Sequence, residues 1–459
     1  MPPKRIRTTE GSCWSCKQRR VKCDLQKPSC RKCLDADEKC NYNKIVLKWN
    51  TRPTKGAPAA NQLCLYHQSL PGSLGYSLAT NEKRAIEYFR LRVWPLFHMS
   101  STPCQPPIAL ALGDRSVLLA TCVMADSHRV LHDGRHSRDI VQSKRLHCLA
   151  TLRKQLAEVS NGEMLLSTLL VAVLLLYFSD GYVECSQESA STSSHHAGVR
   201  AIIDSLGGLP SIMCGTDTSV KMLLSEFATT DVTNALLQGR VPCFSSDVWD
   251  MMDPEAVWWD KPSFGMESFA TIFKKMADLA RYRDLVQKDP GEFTMEKVQA
   301  FENVFRPGYA TMESTTLAEV DIKKDPQLLD EDIVPCRALC RAFQHSANLY
   351  LYRAICALPP QHPLVQQHAQ ACLDCITGMP ADSKALNCAL YPIFTAAAHT
   401  FSAANQKTVI QKLETVYENI KFDSVNAIKL ALKDLWGSER QLGSWDDMFS
   451  GLQQQTLVL

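Results

Sequence analysis

Six cysteines follow the spacing Cys13-x2-Cys16-x6-Cys23-x6-Cys30-x2-Cys33-x6-Cys40. The unit C-x2-C-x6-C occurs twice, separated by six residues, so the segment is an internal duplication. Thiolate is a preferred ligand of zinc, and zinc takes four ligands in a tetrahedron. Two ions need eight coordination positions, which six sulfurs supply only if two of them bridge. The pseudo-symmetry of the repeat makes the bridging pair equivalent cysteines from the two halves. The opposing readings are a one-zinc site with two spare cysteines and a disulfide knot. The opening stretch MPPKRIRTTE has no apolar core, so it does not read as a secretory signal peptide. The cysteines are then expected to stay reduced, which favours metal.

The loop between Cys16 and Cys23 reads KQRRVK, with Lys17, Arg19, Arg20 and Lys22. The corresponding loop of the second half, LDADEK, is acidic. Two zinc ions with six thiolates leave a net charge of −2, which basic neighbours offset. If the basic residues served zinc alone, both loops would be basic, so the first loop is expected to face a polyanion. The whole chain repeats this asymmetry. Residues 1–55 hold 15 Lys and Arg against 5 Asp and Glu, and the remaining residues hold 35 against 43. A basic end on a mildly acidic body suggests a polyanion-binding module attached to a separate domain.

The segment CWSCKQRRVKCDLQKPSCRKCLDADEKCNY resembles the Zn(2)-C6 binuclear cluster of fungal transcription regulators. All six cysteines, the basic first loop, the KCD after it and the KPSC leading into the second half carry the likeness. The resemblance implies two zinc ions per chain held by Cys13, Cys16, Cys23, Cys30, Cys33 and Cys40, with Cys13 and Cys30 bridging. It also makes the bond before Pro28 a candidate for the cis form. In such proteins the helix after the second cysteine enters the major groove and reads a CGG-type triplet. By resemblance, Arg20 is the base-reading residue, since an Arg bonds guanine O6 and N7 together. Arg19 and Lys22 become base or phosphate contacts, Lys17 a phosphate contact, and Arg31 and Lys32 contacts to the opposite backbone. The competing reading of each is a solvated charge. Lys4, Arg5 and Arg7 form a basic arm that suits phosphate or a nuclear import signal.

These residues need elements to hold them. The sequence divides into a basic arm over 1–12, the cluster over 13–40, a linker over 41–80 and a body over 81–459. The linker has recurrent Pro and Gly and no heptad repeat, so it reads as flexible. In NEKRAIEYFRLRVWPLF an Asn cap precedes Ile86, Phe89, Val93 and Phe97 on one helical face. Leu149, Leu152, Leu156 and Val159 form a second stripe. Met164–Phe178 is apolar except for Ser167 and Thr168, falls short of the ~20 residues that span a bilayer, and reads as a buried central helix. The fold class is therefore mostly α: a small N-terminal zinc cluster, a flexible linker and a large all-helical domain. Body segments STSSHHAGVRAIIDSLGG, LYLYRAICALP and YPIFTAAAHTFSAANQKTVIQKL resemble the regulatory domain of fungal-specific transcription factors of the second type, although Tyr391 stands for the usual Trp and Ala397 for the usual Gly.

Other chemistry is weakly represented. Cys372 and Cys375 form a second C-x2-C with no partner pair nearby and read as core or half-exposed thiols. His195 and His196 read as surface or cap residues by resemblance. The tail LWGSERQLGSWDDMF reads as the last helix and its end rather than a coactivator-recruiting motif. No P-loop, Gly-x-Ser-x-Gly, His-Glu-x-x-His or dinucleotide fingerprint occurs, so no enzyme is expected. The expected function is zinc-dependent, sequence-specific DNA binding that regulates RNA polymerase II genes in a fungal nucleus, with secondary-metabolite or catabolic gene clusters as targets the resemblance suggests. The expected partners are double-stranded DNA with CGG-type half-sites, coactivators or corepressors, and a second copy through the helical body; no membrane is expected. The alternative is a zinc-cluster adaptor for acidic proteins or RNA.

Overall fold

The computed structural model describes residues 12–19, 21–40, 78–99, 104–134, 137–158, 163–185, 191–213, 217–259, 268–306, 333–452 and 456–459. The chain forms two compact units, Met1–Gly72 and Ser73–Leu459. Among the described residues every regular element is helical. The expected linker falls mostly on 41–77, outside the described residues, as do residues 1–11 of the basic arm and Arg20.

The first unit holds two short helices, α1 (Trp14–Arg19) and α2 (Arg31–Leu34), one in each half of the repeat. Among its described residues the buried apolar ones are Cys13, Cys16, Cys23, Cys30 and Cys33, with Cys40 packed against them. The sulfurs themselves are the core.

The second unit begins with α3 (Thr80–Tyr88). Its cap is Ala79, whose N–H donates to the Glu82 carboxylate at 2.9 Å, rather than the expected Asn81. Ile86, Phe89, Val93 and Phe97 are all buried, as their spacing predicts. Next come α4 (Arg115–Asp133), α5 (Arg138–Glu158) and α6 (Glu163–Phe178). Asp114 caps α4 by accepting from Ser116 and Val117, and Gly134, at φ 61°, ends it in the left-handed conformation. On α5 the buried positions are Val141, Arg145, Cys148 and Leu152. Of the expected leucine stripe, Leu152 is buried and Leu149 half-buried against the core, Leu156 is exposed, and Val159 lies outside the described residues.

Residues 169–178 of α6 are all buried, because α6 packs on α4 and on α7 (Thr192–Ser205). An 18-residue window, Leu166–Val183, is apolar enough to cross a membrane, yet 83% of it lies inside the protein. A helix apolar on every side is a core helix when neighbours cover it. The next helix, α8 (Thr218–Gln238), is buried almost throughout. It tolerates its hydroxyls because Ser225, Thr229 and Thr230 donate back to its own carbonyls. The second half adds α9 (Phe269–Lys288), α10 (Ile333–Tyr350), α11 (Pro363–Thr377), α12 (Leu390–Ala398), α13 (Ala403–Ile420), α14 (Asp423–Trp436) and α15 (Trp445–Phe449). Trp445 is buried against Tyr350 and Phe449, so the acidic-aromatic tail is structural.

Candidate metal centre and nucleic-acid interface

The four sulfurs of Cys13, Cys16, Cys23 and Cys30 lie within 4.8 Å of one another, and so do those of Cys13, Cys30, Cys33 and Cys40. The two groups share Cys13 and Cys30, whose Sγ atoms are 3.6 Å apart. Other separations are 3.5 Å for Cys13–Cys33 and for Cys16–Cys30, and 3.9 Å for Cys13–Cys23. Four sulfurs at a Zn–S distance of about 2.3 Å form a tetrahedron with edges of about 3.8 Å. The donor set therefore fits zinc in both element and size. Burial pushes the thiols of Cys13 and Cys16 up, Cys16 to about 12, so a divalent cation is what would hold such packed sulfurs as thiolates.

Local geometry explains the compactness. Backbone N–H groups point at sulfur, from Leu25 to Cys23 at 3.4 Å and from Cys30 to Cys40 at 3.3 Å. Asp24 of the KCD stretch accepts from the Arg31 N–H at 3.0 Å and so satisfies the start of α2. The Ser15 hydroxyl donates to the Lys39 carbonyl at 2.7 Å and ties α1 to the end of the second loop. The Lys27–Pro28 peptide bond is cis.

The basic residues separate by environment. Lys22, Arg31 and Lys32 are exposed. Lys17 lies on α1, with its side chain outside the described set, and Arg20 follows that helix outside the described residues. Arg19 is half-buried, and its guanidinium folds back on the cluster. It donates to the Lys32 carbonyl at 2.8 Å and reaches Cys33 Sγ at 3.5 Å. Proximity to Cys33 and other negative groups outweighs desolvation and raises its pKa. Its counterpart in the repeat is Ala36, so this brace runs one way only. Composition alone did not separate Arg19 from its neighbours. Asp24 had a local signal, the KCD stretch.

The body carries two polar clusters that sequence reading missed. Arg145 pairs with Asp180 and reaches Glu184 at 3.4 Å, while His195 Nε2 is 3.2 Å from Asp180. His196 Nε2 is 3.0 Å from Asp231 Oδ1, and Arg240 Nη1 is 2.8 Å from the same oxygen. Both histidines were expected at the surface or at a cap. His195 does adjoin the N-cap Ser191, but it and His196 turn inward because each answers a buried aspartate. Cys372 is buried and Cys375 half-buried, as expected of packed thiols.

A compact thiolate cluster with a basic first loop, followed by a large helical body, defines a zinc-cluster regulator with separate binding and regulatory units. Residues 11–49 match the fungal Zn(2)-Cys(6) binuclear cluster domain, and residues 84–459 match the fungal specific transcription factor domain. The chain belongs to this family of fungal Zn(2)-Cys(6) transcription factors. Both domains are non-catalytic binding and regulatory modules, and such proteins are characteristically nuclear. Over 58 residues the chain is 40% identical to Sterol uptake control protein 2 of Saccharomyces cerevisiae, a stretch that is 11% of this chain. The chain thus spans 6% of the length of that curated relative. No solved structure matches.

Proposed function

We propose that the chain binds DNA in a sequence-specific, zinc-dependent manner and regulates RNA polymerase II genes. Two zinc ions would be held by the six cysteines, one by the group Cys13, Cys16, Cys23 and Cys30 and the other by the group Cys13, Cys30, Cys33 and Cys40. The bound metal would supply rigidity, holding α1 on a segment too small for a conventional core. Arg20 reads a guanine of a CGG-type triplet, and Lys22 contacts base or phosphate. Lys17, Arg31 and Lys32 contact phosphates and set the docking position. Arg19 braces the cluster from within. Any second copy joins through the helical body, so paired half-sites of varied spacing are tolerated.

The observation that carries this reading is the pair of sulfur tetrads sharing Cys13 and Cys30, next to a loop that is basic in one half alone. Gel retardation on short duplexes tests it. Arg20→Ala is expected to weaken binding to a CGG site by about 1–3 kcal/mol and to relax preference at one guanine. Lys17→Ala is expected to weaken all sequences alike and to flatten the salt dependence. Binding indifferent to DNA sequence in the unaltered protein would instead favour an adaptor for acidic partners.

A further inference from the structure

Among the described cysteines outside the cluster, Cys104, Cys243, Cys356 and Cys375 are half-buried and the others are buried. Burial is the leading influence on three of these four, and it pushes Cys104 and Cys356 up to about 11 and Cys375 upward. Such thiols are poor nucleophiles, because the thiolate is the reactive form. Cys243 stands in a different setting.

Its Sγ lies 3.7 Å from His196 Nε2 and 3.9 Å from Arg200 Nη1. Both groups can donate a hydrogen bond to sulfur. His196 is in turn fixed by Asp231, which is 1% exposed. The Cys243 N–H donates to the other oxygen of that carboxylate at 2.6 Å, and Arg240 secures Asp231 from a further side. The sulfur thus lies beside an imidazole and a guanidinium, with Asp231 holding the same His196 Nε2 that faces the sulfur, on α7, α8 and the segment after α8. Burial pushes His196 down, but Asp231 and Cys243 outweigh it and bring the imidazole to about 9, so it is charged at neutral pH.

His196, Asp231 and Cys243 are also metal-ligand types within 4.8 Å of one another. The arginines decide between the two readings. Arg200 and Arg240 already place two guanidinium groups at this cluster, which repel a divalent cation and stabilise an anionic sulfur.

We propose that Cys243 is a nucleophilic cysteine that takes up soft carbon electrophiles of the α,β-unsaturated carbonyl class, with His196, held by Asp231, and Arg200 as the cationic neighbours that favour its attack. The sulfur lone pair forms a bond to the β-carbon, and the alkene π pair moves to the carbonyl oxygen as an enolate. The thiol proton leaves to water, and water returns a proton to the α-carbon. No oxidant or reductant is required.

The test is competitive labelling of the full zinc-loaded chain with substoichiometric N-ethylmaleimide, followed by peptide mapping. Cys243 is expected to react about tenfold faster than Cys104, Cys356 and Cys375. His196→Gln is expected to remove most of that advantage, and Cys243→Ser all of it, without altering zinc content. Comparable labelling of the four half-buried thiols in the unaltered protein would overturn the proposal whatever the variants do. So would an unchanged Cys243 rate in His196→Gln. A third zinc ion per chain that disappears in Cys243→Ser would replace the reactive thiol with a metal site. None of these outcomes bears on DNA binding by the cluster, so the two proposals fail separately.

Discussion

The two units solve the stability problem in opposite ways. The cluster unit has buried sulfur where other domains have hydrocarbon, and its helices are only six and four residues long. Isolated helices of that length are unstable in water, so the fixed point must come from the ligand set. The helical body buries Trp94, Trp258, Trp445, Tyr177 and Phe227 among many aliphatic side chains, and it pairs the buried Asp180 and Asp231 with basic side chains. The contrast teaches that one unit depends on a dissociable ion for its existence, whereas the other depends on packing and on a few buried charges.

Metal removal should separate the two most sharply. Structural zinc contributes on the order of 10 kcal/mol to domains of this size. A strong chelator should abolish DNA binding and release two zinc ions per chain, while far-UV circular dichroism keeps most of its helical signal. Loss of the whole helical signal would show that the body also needs metal, and one zinc per chain by native mass spectrometry would remove the bridged arrangement.

Next in size is the buried charge cluster of the body. Arg145→Ala removes the guanidinium from Asp180, which is fully buried and held below the usual carboxylate range against its desolvation by His195 and Arg145, and leaves it with His195 and the Ser191 donors. Removing one partner of a buried pair costs about 3–5 kcal/mol. The thermal midpoint of the body should fall, while zinc content and DNA sequence preference remain unchanged. A loss of zinc in this variant would contradict the independence of the two units.

Glu226 gives a smaller, pH-dependent effect. It is buried, and desolvation pushes its carboxyl up to about 8 even though the Tyr182 hydroxyl donates to it at 2.5 Å. A carboxyl raised in the folded state binds its proton more tightly there than in the unfolded chain. The body therefore loses stability as pH rises from the ordinary glutamate range through about 8. Glu226→Gln cannot ionise, so it should gain on the unaltered protein on the order of 2–4 kcal/mol at pH near 9 and little at pH near 5. Equal thermal shifts at both pH values would refute the assignment.

The smallest effect returns to the cluster. Arg19→Ala removes the donors to the Lys32 carbonyl and Cys33 Sγ, so zinc should transfer faster to a chromogenic chelator. Preference among DNA triplets should stay as it was. An altered preference with unchanged zinc release would make Arg19 a reading residue instead of a brace.

The sequence by itself determined the ligand set, because zinc ligation is written as residue type and short spacing, and both survive without knowledge of the fold. It also determined the helical class and the burial of residues 169–178, since an apolar run of that length must be covered. Tertiary structure alone decided matters that depend on distant partners. The core face of α5 runs through Val141, Arg145, Cys148 and Leu152, because Asp180 and Glu184 lie there to receive Arg145, and Leu156 is left outside. Arg19 differs from its basic neighbours only because a backbone carbonyl thirteen positions away is carried to it. Cys243 differs from the other half-buried thiols because His196, 47 positions earlier, is brought against it. Composition and periodicity describe neighbours along the chain; these pairings form only when folding converts long sequence separations into contacts of a few ångströms.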